Sequence, residues 1–269
     1  MIGMLIAGLS VVCGGILYIS CHSAPWEDTF MEIGGTRKTM QLPSCRVVKF
    51  TQPPLVWRQK SKGIIEAERM FSFRGVPLTV TSGDSLQGSL SYAGDMEAFM
   101  SMTSVGDTLL VTFDIPNDKL EKRFQNDTWI KVRSEGMGLQ LPADVQAVVV
   151  DVEGMETSFK GFCCDTLSFR VRDLARVENC RVTSLAAQAE TLRFNSGEVR
   201  NLYLNLDEIS DWNVDTDSFR IDTEHLSGSR HHRCLLQKNE CRRVFWTPLK
   251  NDASLNMELK QAVKIEVGE

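Results

Sequence analysis

The densest group of side chains able to do chemistry lies between positions 207 and 224 and includes Asp207, Glu208, Asp211, Asp215, Asp217, Asp222 and Glu224. On a strand alternate residues share a face, so Asp215 and Asp217 would project together. Two carboxylates so placed could seat a calcium ion, or divide general-acid and general-base work on a glycan. Their spacing fits no EF-hand loop, and the simpler expectation is a set of outward charges that discourage strands from pairing edge to edge. A second group follows. His231, His232, Cys234 and Cys241 are side chains that a metal ion favours, but they lack the paired spacing of structural zinc sites. Arg230, Arg233, Arg242 and Arg243 make the same stretch basic, a pattern able to attract an acidic glycan or a phospholipid headgroup and equally expected of a solvated loop. No nucleophile elbow, glycine-rich phosphate loop, HExxH or dinucleotide fingerprint occurs. The expectation is therefore a protein that is not an enzyme and needs no metal or cofactor, with Asp215, Asp217, Arg242 and Arg243 as candidate binding residues.

The whole chain supports that reading. Thirty basic against thirty-five acidic residues give a net charge of −5, which offers no reason to expect a nucleic-acid partner. With 42% hydrophobic and 24% charged residues the composition is globular, excluding a wholly disordered or fibrous chain. The eight cysteines follow no framework spacing, and Cys234 with Cys241 is the one pairing that suggests a disulfide.

Residues 1–20 contain no charged side chain, and as a helix they would span about 30 Å, the thickness of a bilayer core. No basic residue precedes the apolar run, which favours an uncleaved anchor over a secretory signal. Ser20 followed by Cys21 resembles the end of a lipobox, making Cys21 a lipidation candidate, although Tyr18 stands three places before it and Leu17 one place too early. The expected organisation is an N-terminal membrane anchor or signal over 1–21, a linker or irregular lead-in over 22–62, and a β-domain over 63–269. The lipid bilayer is the partner of residues 1–20. The absence of a basic flank after the apolar run places the body on the outer side.

Apolar residues alternate with polar ones in Leu109, Val111, Phe113 and Ile115, then around Val148, Leu167, Leu192, Leu202 and Phe219. No proline lies between Pro142 and Pro248, as a series of strands requires. Counting weaker runs at Phe159, Val177 and Trp212, strands start about every ten residues, so two make a repeat of about twenty. Asp165–Phe169 is echoed by Glu190–Phe194. An irregular sandwich remains open. The repeat favours an all-β fold, a single β-helix or β-solenoid-like domain of short strands after the N-terminal transmembrane or signal helix.

The runs MFSFRGVPLTVTSGDSLQGSLSYAG, DTLLVTFDIP, WIKVRSEGMGLQLPADVQAVVVDVEGMETSFKGF and DTLSFRV are similar to the head GIN domain family of autotransporter adhesins, over roughly residues 66 to 267. The resemblance implies a secreted or membrane-attached bacterial protein, its body in the periplasm or at the cell surface, adhering to glycans or to surface and matrix proteins. It transfers no binding residue. The chain departs from the family in its turns, with only Gly154, Gly161, Gly197 and Gly228 between 143 and 247. Asp84-Ser85-Leu86, Asp107-Thr108-Leu109 and Asp165-Thr166-Leu167 look like short O-glycosylation sites of some exported bacterial proteins. Two alternatives remain: a membrane-tethered scaffold that self-assembles, with the tail from Leu255 to Val267 as a possible cap, and a polysaccharide-active enzyme using the acidic stretch. A row formed by Trp57, Trp129, Trp212 and Trp246 would make a sugar platform, whereas burial is the default for each.

Overall fold

The computed structural model describes residues 30–267, except 54–56, 60–64, 68, 84–86, 126, 143–144, 237–241 and 260–261. The expected membrane segment, with Cys21, lies outside the described residues. Among those described, no helix is long and apolar enough to cross a membrane. Their regular elements are strands and short 3-10 turns, so the fold is all-β.

Alternation builds the strands. Thr108–Phe113 buries Leu109, Val111 and Phe113, while Ala147–Asp151 buries Val148 and Val150. From there the ladder is parallel. Ala147–Asp151 lies between Val47–Thr51 and Cys163–Glu178, which pairs in turn with Cys180–Phe194. Gly197–Asn205, Phe219–Gly228, Arg243–Pro248 and Lys264–Val267 follow in that order. Leu167 stands opposite Leu185, Leu185 opposite Leu202, Leu202 opposite Glu224, and Glu224 opposite Val244. Partners on successive strands thus stand about twenty residues apart in sequence, an interval of one lap along the chain. The inward column of leucines is interrupted by a carboxylate: Glu224 is 0% exposed, where the acidic stretch had been expected to face water.

The starts expected at 167 and 177 fall within one 16-residue strand, and the next strand runs for 15. The pairing of these two strands continues through an irregularity, a register shift between Val171 and Leu174. Beyond it, Leu174–Val177 pairs with Thr191–Phe194, which pairs with Asp211–Val214. The echo between 165–169 and 190–194 does not stack, because Leu167 faces Leu185 and Leu192 faces Ala175 and Trp212. The sequence repeat therefore carries the lap length and not the register.

Two stretches differ from expectation. Within the 22–62 lead-in, Phe30–Glu32, Arg37–Gln41 and Val47–Thr51 are paired strands, with Val48 and Phe50 completely buried. Pro53 and Pro54, residues that read locally as a tether, come just after the last of them. The tail expected as a cap instead adds strands of the same kind: Ser254–Leu259 pairs parallel with His231–Leu236, and Lys264–Val267 with Arg243–Pro248. Among the described residues antiparallel pairing is confined to strands before residue 142, as in Arg37–Gln41 with Ser89–Ala93, Ser89–Ala93 with Met137–Leu141, and Met100–Val105 with Thr108–Phe113.

The interior is one continuous apolar cluster with aromatic contacts along it, Phe73 to Phe113 at 4.9 Å, Phe159 to Phe169 at 4.0 Å and Phe194 to Phe219 at 5.2 Å between ring centres. Few glycines are needed at the turns because Asn179 takes a left-handed conformation at φ 53°. Its N–H donates to Ser196 Oγ at 2.9 Å, and that hydroxyl donates back to Asn179 Oδ1 at 3.0 Å. Gly197 must be glycine for contact reasons as well, and makes the tightest such approach: at φ 130° a Cβ there would lie 2.1 Å from the Cys180 carbonyl oxygen. Gly161 is also left-handed, at φ 69°, but faces open space. Gly161→Ala should therefore cost only the backbone strain, about 1–2 kcal/mol, whereas Gly197→Ala should cost more than about 4 kcal/mol or prevent folding. Urea denaturation of the two variants measures both, and equal losses would mean that the close approach to Cys180 is not what holds the two laps together.

Candidate functional site

Asp215 and Asp217 do not share a strand face. They sit in the turn between Asp211–Val214 and Phe219–Gly228, where Asp217 N–H donates to Asp215 Oδ1 at 3.2 Å. The Asp215 carbonyl accepts from Ser218 and Phe219 N–H, at 3.1 and 2.8 Å. Asp215 is thus a turn-former, the role in which its short carboxylate competes best with strand pairing. Among the described residues no group of three His, Cys, Asp or Glu side chains could hold a metal ion. His231 and His232 are successive residues of one strand. Nδ1 of His231 lies 2.7 Å from Ser254 Oγ, and Nε2 of His232 lies 3.0 Å from Asp207 Oδ1. Cys234 occupies the same strand, opposite Met257, and Cys241 lies outside the described residues.

Asp207 is the centre of this corner. Its Oδ2 accepts from Ser229 N–H at 2.7 Å, its Oδ1 from Arg230 Nε at 3.3 Å, and its carbonyl from Arg230 Nη2 at 2.9 Å. Hydrogen bonds from Ser229 above all, then from His232 and Arg230, hold this carboxyl well below the usual carboxylate range. The group ties two laps together at a corner. Cys45, Cys163, Cys164 and Cys180 are free thiols, and burial pushes those of Cys164 and Cys180 up.

The tryptophans form no row. Trp246 is buried, Trp212 is half-buried with its ring edge-on to Phe194, Trp129 is exposed on a separate three-stranded sheet, and Trp57 belongs to a two-stranded hairpin. An aromatic row nevertheless exists. The ladder places Tyr203 opposite His225 and His225 opposite Phe245, all outward. Their rings stack with centres 4.4 and 4.9 Å apart and planes within 10° and 5° of parallel, and Tyr203 is 44% exposed. Continuing the same column the other way, Tyr203 faces Ala186, Ala186 faces Ser168 and Ser168 faces Ala147. The side chains drop from rings to methyl and hydroxymethyl groups, which leaves a cleft of about 530 Å³ floored by small residues and walled by Tyr203 and His225.

Two residues along each strand lies a polar row, Asn205 opposite Ser227 and Ser227 opposite Thr247, also lining the cleft together with Gln188 and Arg170. Asn205 Oδ1 accepts from Asp207 N–H at 3.1 Å, and Gln188 Nε2 donates to Glu208 at 2.9 Å, so both amides are held in place. A second hollow of about 400 Å³ shares Val149, Arg170 and Gln188 with the first and leads to Lys49, Asp151 and Glu190. A flat aromatic stack beside fixed amides and hydroxyls can hold a ligand with apolar C–H faces and a hydroxyl rim.

Tyr203, His225 and Phe245 carry a sequence signal that went unread. In Tyr203-Leu204, His225-Leu226 and Phe245-Trp246 an outward ring precedes an inward apolar residue, one lap apart. A search limited to tryptophan passes over it.

No protein-family model matches the chain, and no curated protein matches it. Solved structures do. A provisionally named adhesin from Bacteroides fragilis is similar with a TM-score of 0.47 at 10% identity, over 88% of this chain and 100% of the other. A provisionally named lipid-binding protein from Parabacteroides distasonis has a TM-score of 0.40 at 8% identity, over 89% and 99%. A provisionally named adhesin from Parabacteroides merdae has a TM-score of 0.34 at 8% identity, over 88% and 99%. At these scores the likenesses say nothing about what this chain binds.

Burial between two rings lowers the pKa of His225. Its neutral form is favoured in the fold, so the unfolded chain takes up a proton first. The stability it contributes is complete above the ordinary histidine pKa of about 6.5, and is lost as pH falls through the lower folded value. Melting temperature should therefore decline between pH 7.5 and 5, and His225→Phe, which keeps the ring stack, should flatten that decline. An unchanged slope in the variant would assign the pH dependence elsewhere.

Proposed function

We propose that this protein is a non-enzymatic, adhesin-like binding domain that holds glycans along the cleft beside Tyr203, His225 and Phe245. The observation that carries the reading is the parallel, face-to-face stack of three rings at strand spacing next to the row of Asn205, Ser227 and Thr247. The Tyr203 ring face turned away from His225, toward the cleft, offers apolar contact to the C–H face of a sugar with His225 and Phe245 stacked behind it, while the amides and hydroxyls match the sugar's hydroxyl edge. The parallel register, in which strands about twenty residues apart pair in succession, supports a β-helix that presents such rows along its length. Residues 1–20 are the proposed anchor, with Cys21 an alternative lipid attachment, holding the body at a bacterial membrane on its periplasmic or outer side.

The scaffold alternative has one observation in its favour. Lys264–Val267 forms one end of the ladder and leaves Ile265 43% and Val267 68% exposed, which a second copy could cover. One experiment separates the readings. The body from Ser23 to Glu269 is applied to arrays of neutral glycans and of matrix proteins while its mass in solution is measured. Glycan binding by a monomer is expected, with Tyr203→Ala and Phe245→Ala each weakening it about tenfold or more, a loss of about 1.4 kcal/mol, and leaving the melting temperature nearly unchanged for the exposed Tyr203. Concentration-dependent polymers without glycan binding would replace the adhesin reading with the scaffold.

A further inference from the structure

A different face of the same strands carries an arginine cluster. Arg181 stands opposite Glu198, and Glu198 opposite Arg220. In the neighbouring row Arg200 and Asp222 follow two residues on, and Arg242 N–H donates to the Asp222 carbonyl at 3.1 Å. All four arginines are exposed, and they line one hollow of about 410 Å³ together with Glu198 and Asp222. Each carboxylate is committed to one guanidinium, Glu198 to Arg181 at 2.6 Å and Asp222 to Arg242 at 3.6 Å. Arg200 and Arg220 form no ion pair among the described residues. Nearby arginines mostly differ: Arg172, Arg176 and Arg193 on the adjoining strands and Arg230 in the turn after Phe219–Gly228 are each paired with a carboxylate, whereas Arg170 forms no ion pair among the described residues.

We propose that this hollow is a docking site for an anionic polysaccharide, one whose carboxylate or sulfate groups recur along an extended chain. Guanidinium groups bind such oxyanions through two parallel N–H donors, which a lysine ammonium cannot match. Strands lie about 4.8 Å apart, so Arg181 and Arg220, two strands apart, repeat positive charge about every 10 Å along the stack. A polymer with one charge per disaccharide, lying across the strands, meets that interval. The surplus is local, four guanidiniums against two carboxylates in a chain of net charge −5. Attraction is thereby focused on this face, while the rest of the molecule repels a polyanion. An adjoining hollow of about 550 Å³ shares Arg181, Glu198 and Arg220 and adds the hydrogen-bonding groups of Asn179, Ser196 and Ser218 together with the carboxylate of Asp217, so the positive surplus is confined to the arginine hollow. The site does not depend on the neutral-glycan reading of the aromatic cleft, since the residues differ.

The test uses the body from Ser23 to Glu269 with hyaluronate, which carries one carboxylate per disaccharide, with the more densely charged heparin, and with neutral dextran, at several salt concentrations. Binding to at least one polyanion and not to dextran is expected, weakening as salt rises. The Arg200→Gln, Arg220→Gln double variant should lose tenfold or more in affinity and show a shallower salt dependence. Arg200→Lys with Arg220→Lys should retain part of the binding, and Tyr203→Ala should leave it unchanged. Both arginines are exposed, so circular dichroism should report the same fold in every variant. Absence of polyanion binding, equal binding by the double variant, or binding only to vesicles of anionic phospholipid would each overturn the proposal.

Discussion

Parallel hydrogen bonding between successive laps carries nearly everything else in this molecule. In a parallel ladder a residue meets its counterpart one lap later, with no reversal of order, so whatever occupies a position is stacked on whatever follows about twenty residues on. Inward positions become columns, such as Leu167, Leu185 and Leu202, and each buried leucine or phenylalanine removes apolar surface worth about 1.5–3 kcal/mol from water. Outward positions become columns too. The aromatic row and the arginine cluster are both consequences of one register.

The same constraint organises the charges. Many ion pairs join neighbouring laps: Lys160 to Glu178, Arg172 to Glu153, Arg176 to Glu156, Arg181 to Glu198 and Arg193 to Asp211. Most are exposed, so each adds little to stability. Their larger effect is on alignment, because a slip of one residue would turn every charge inward and every leucine outward. Against that background Glu224, inside the leucine column, and Arg200 and Arg220, outside it without ion pairs among the described residues, are departures from the pattern. Asp207 is a third, held by His232, Ser229 and Arg230 where the chain turns.

Interior and surface are thereby separated in what they can change. Substituting an inward residue disturbs both stacked neighbours, as the close approach of Gly197 to Cys180 illustrates. Substituting an outward one alters a row without touching the core. A stack of this kind can change ligand by exchanging outward side chains, and two distinct rows can coexist on the same strands.

The all-β class and the lap of about twenty residues were legible in the sequence, because alternation and proline spacing are local and follow from strand geometry. Several strand positions were legible for the same reason, among them Thr108–Phe113, Ala147–Asp151 and Gly197–Asn205. The pairing of Val47–Thr51 was hidden by nearby prolines, which interrupt a chain locally and do not report what pairs just before them. Register was not legible either: the echo at 165–169 and 190–194 suggested one alignment, and interstrand hydrogen bonding, with its shift between Val171 and Leu174, imposed another. The candidate sites depended on that register. Asp215 and Asp217 looked paired by sequence distance and proved to form a turn, while Tyr203, His225 and Phe245 looked unrelated and proved to stack. Sequence determines which residues point inward, since that depends on a period of two; only the tertiary structure decides which outward residues meet, since that depends on how far the chain travels before it returns.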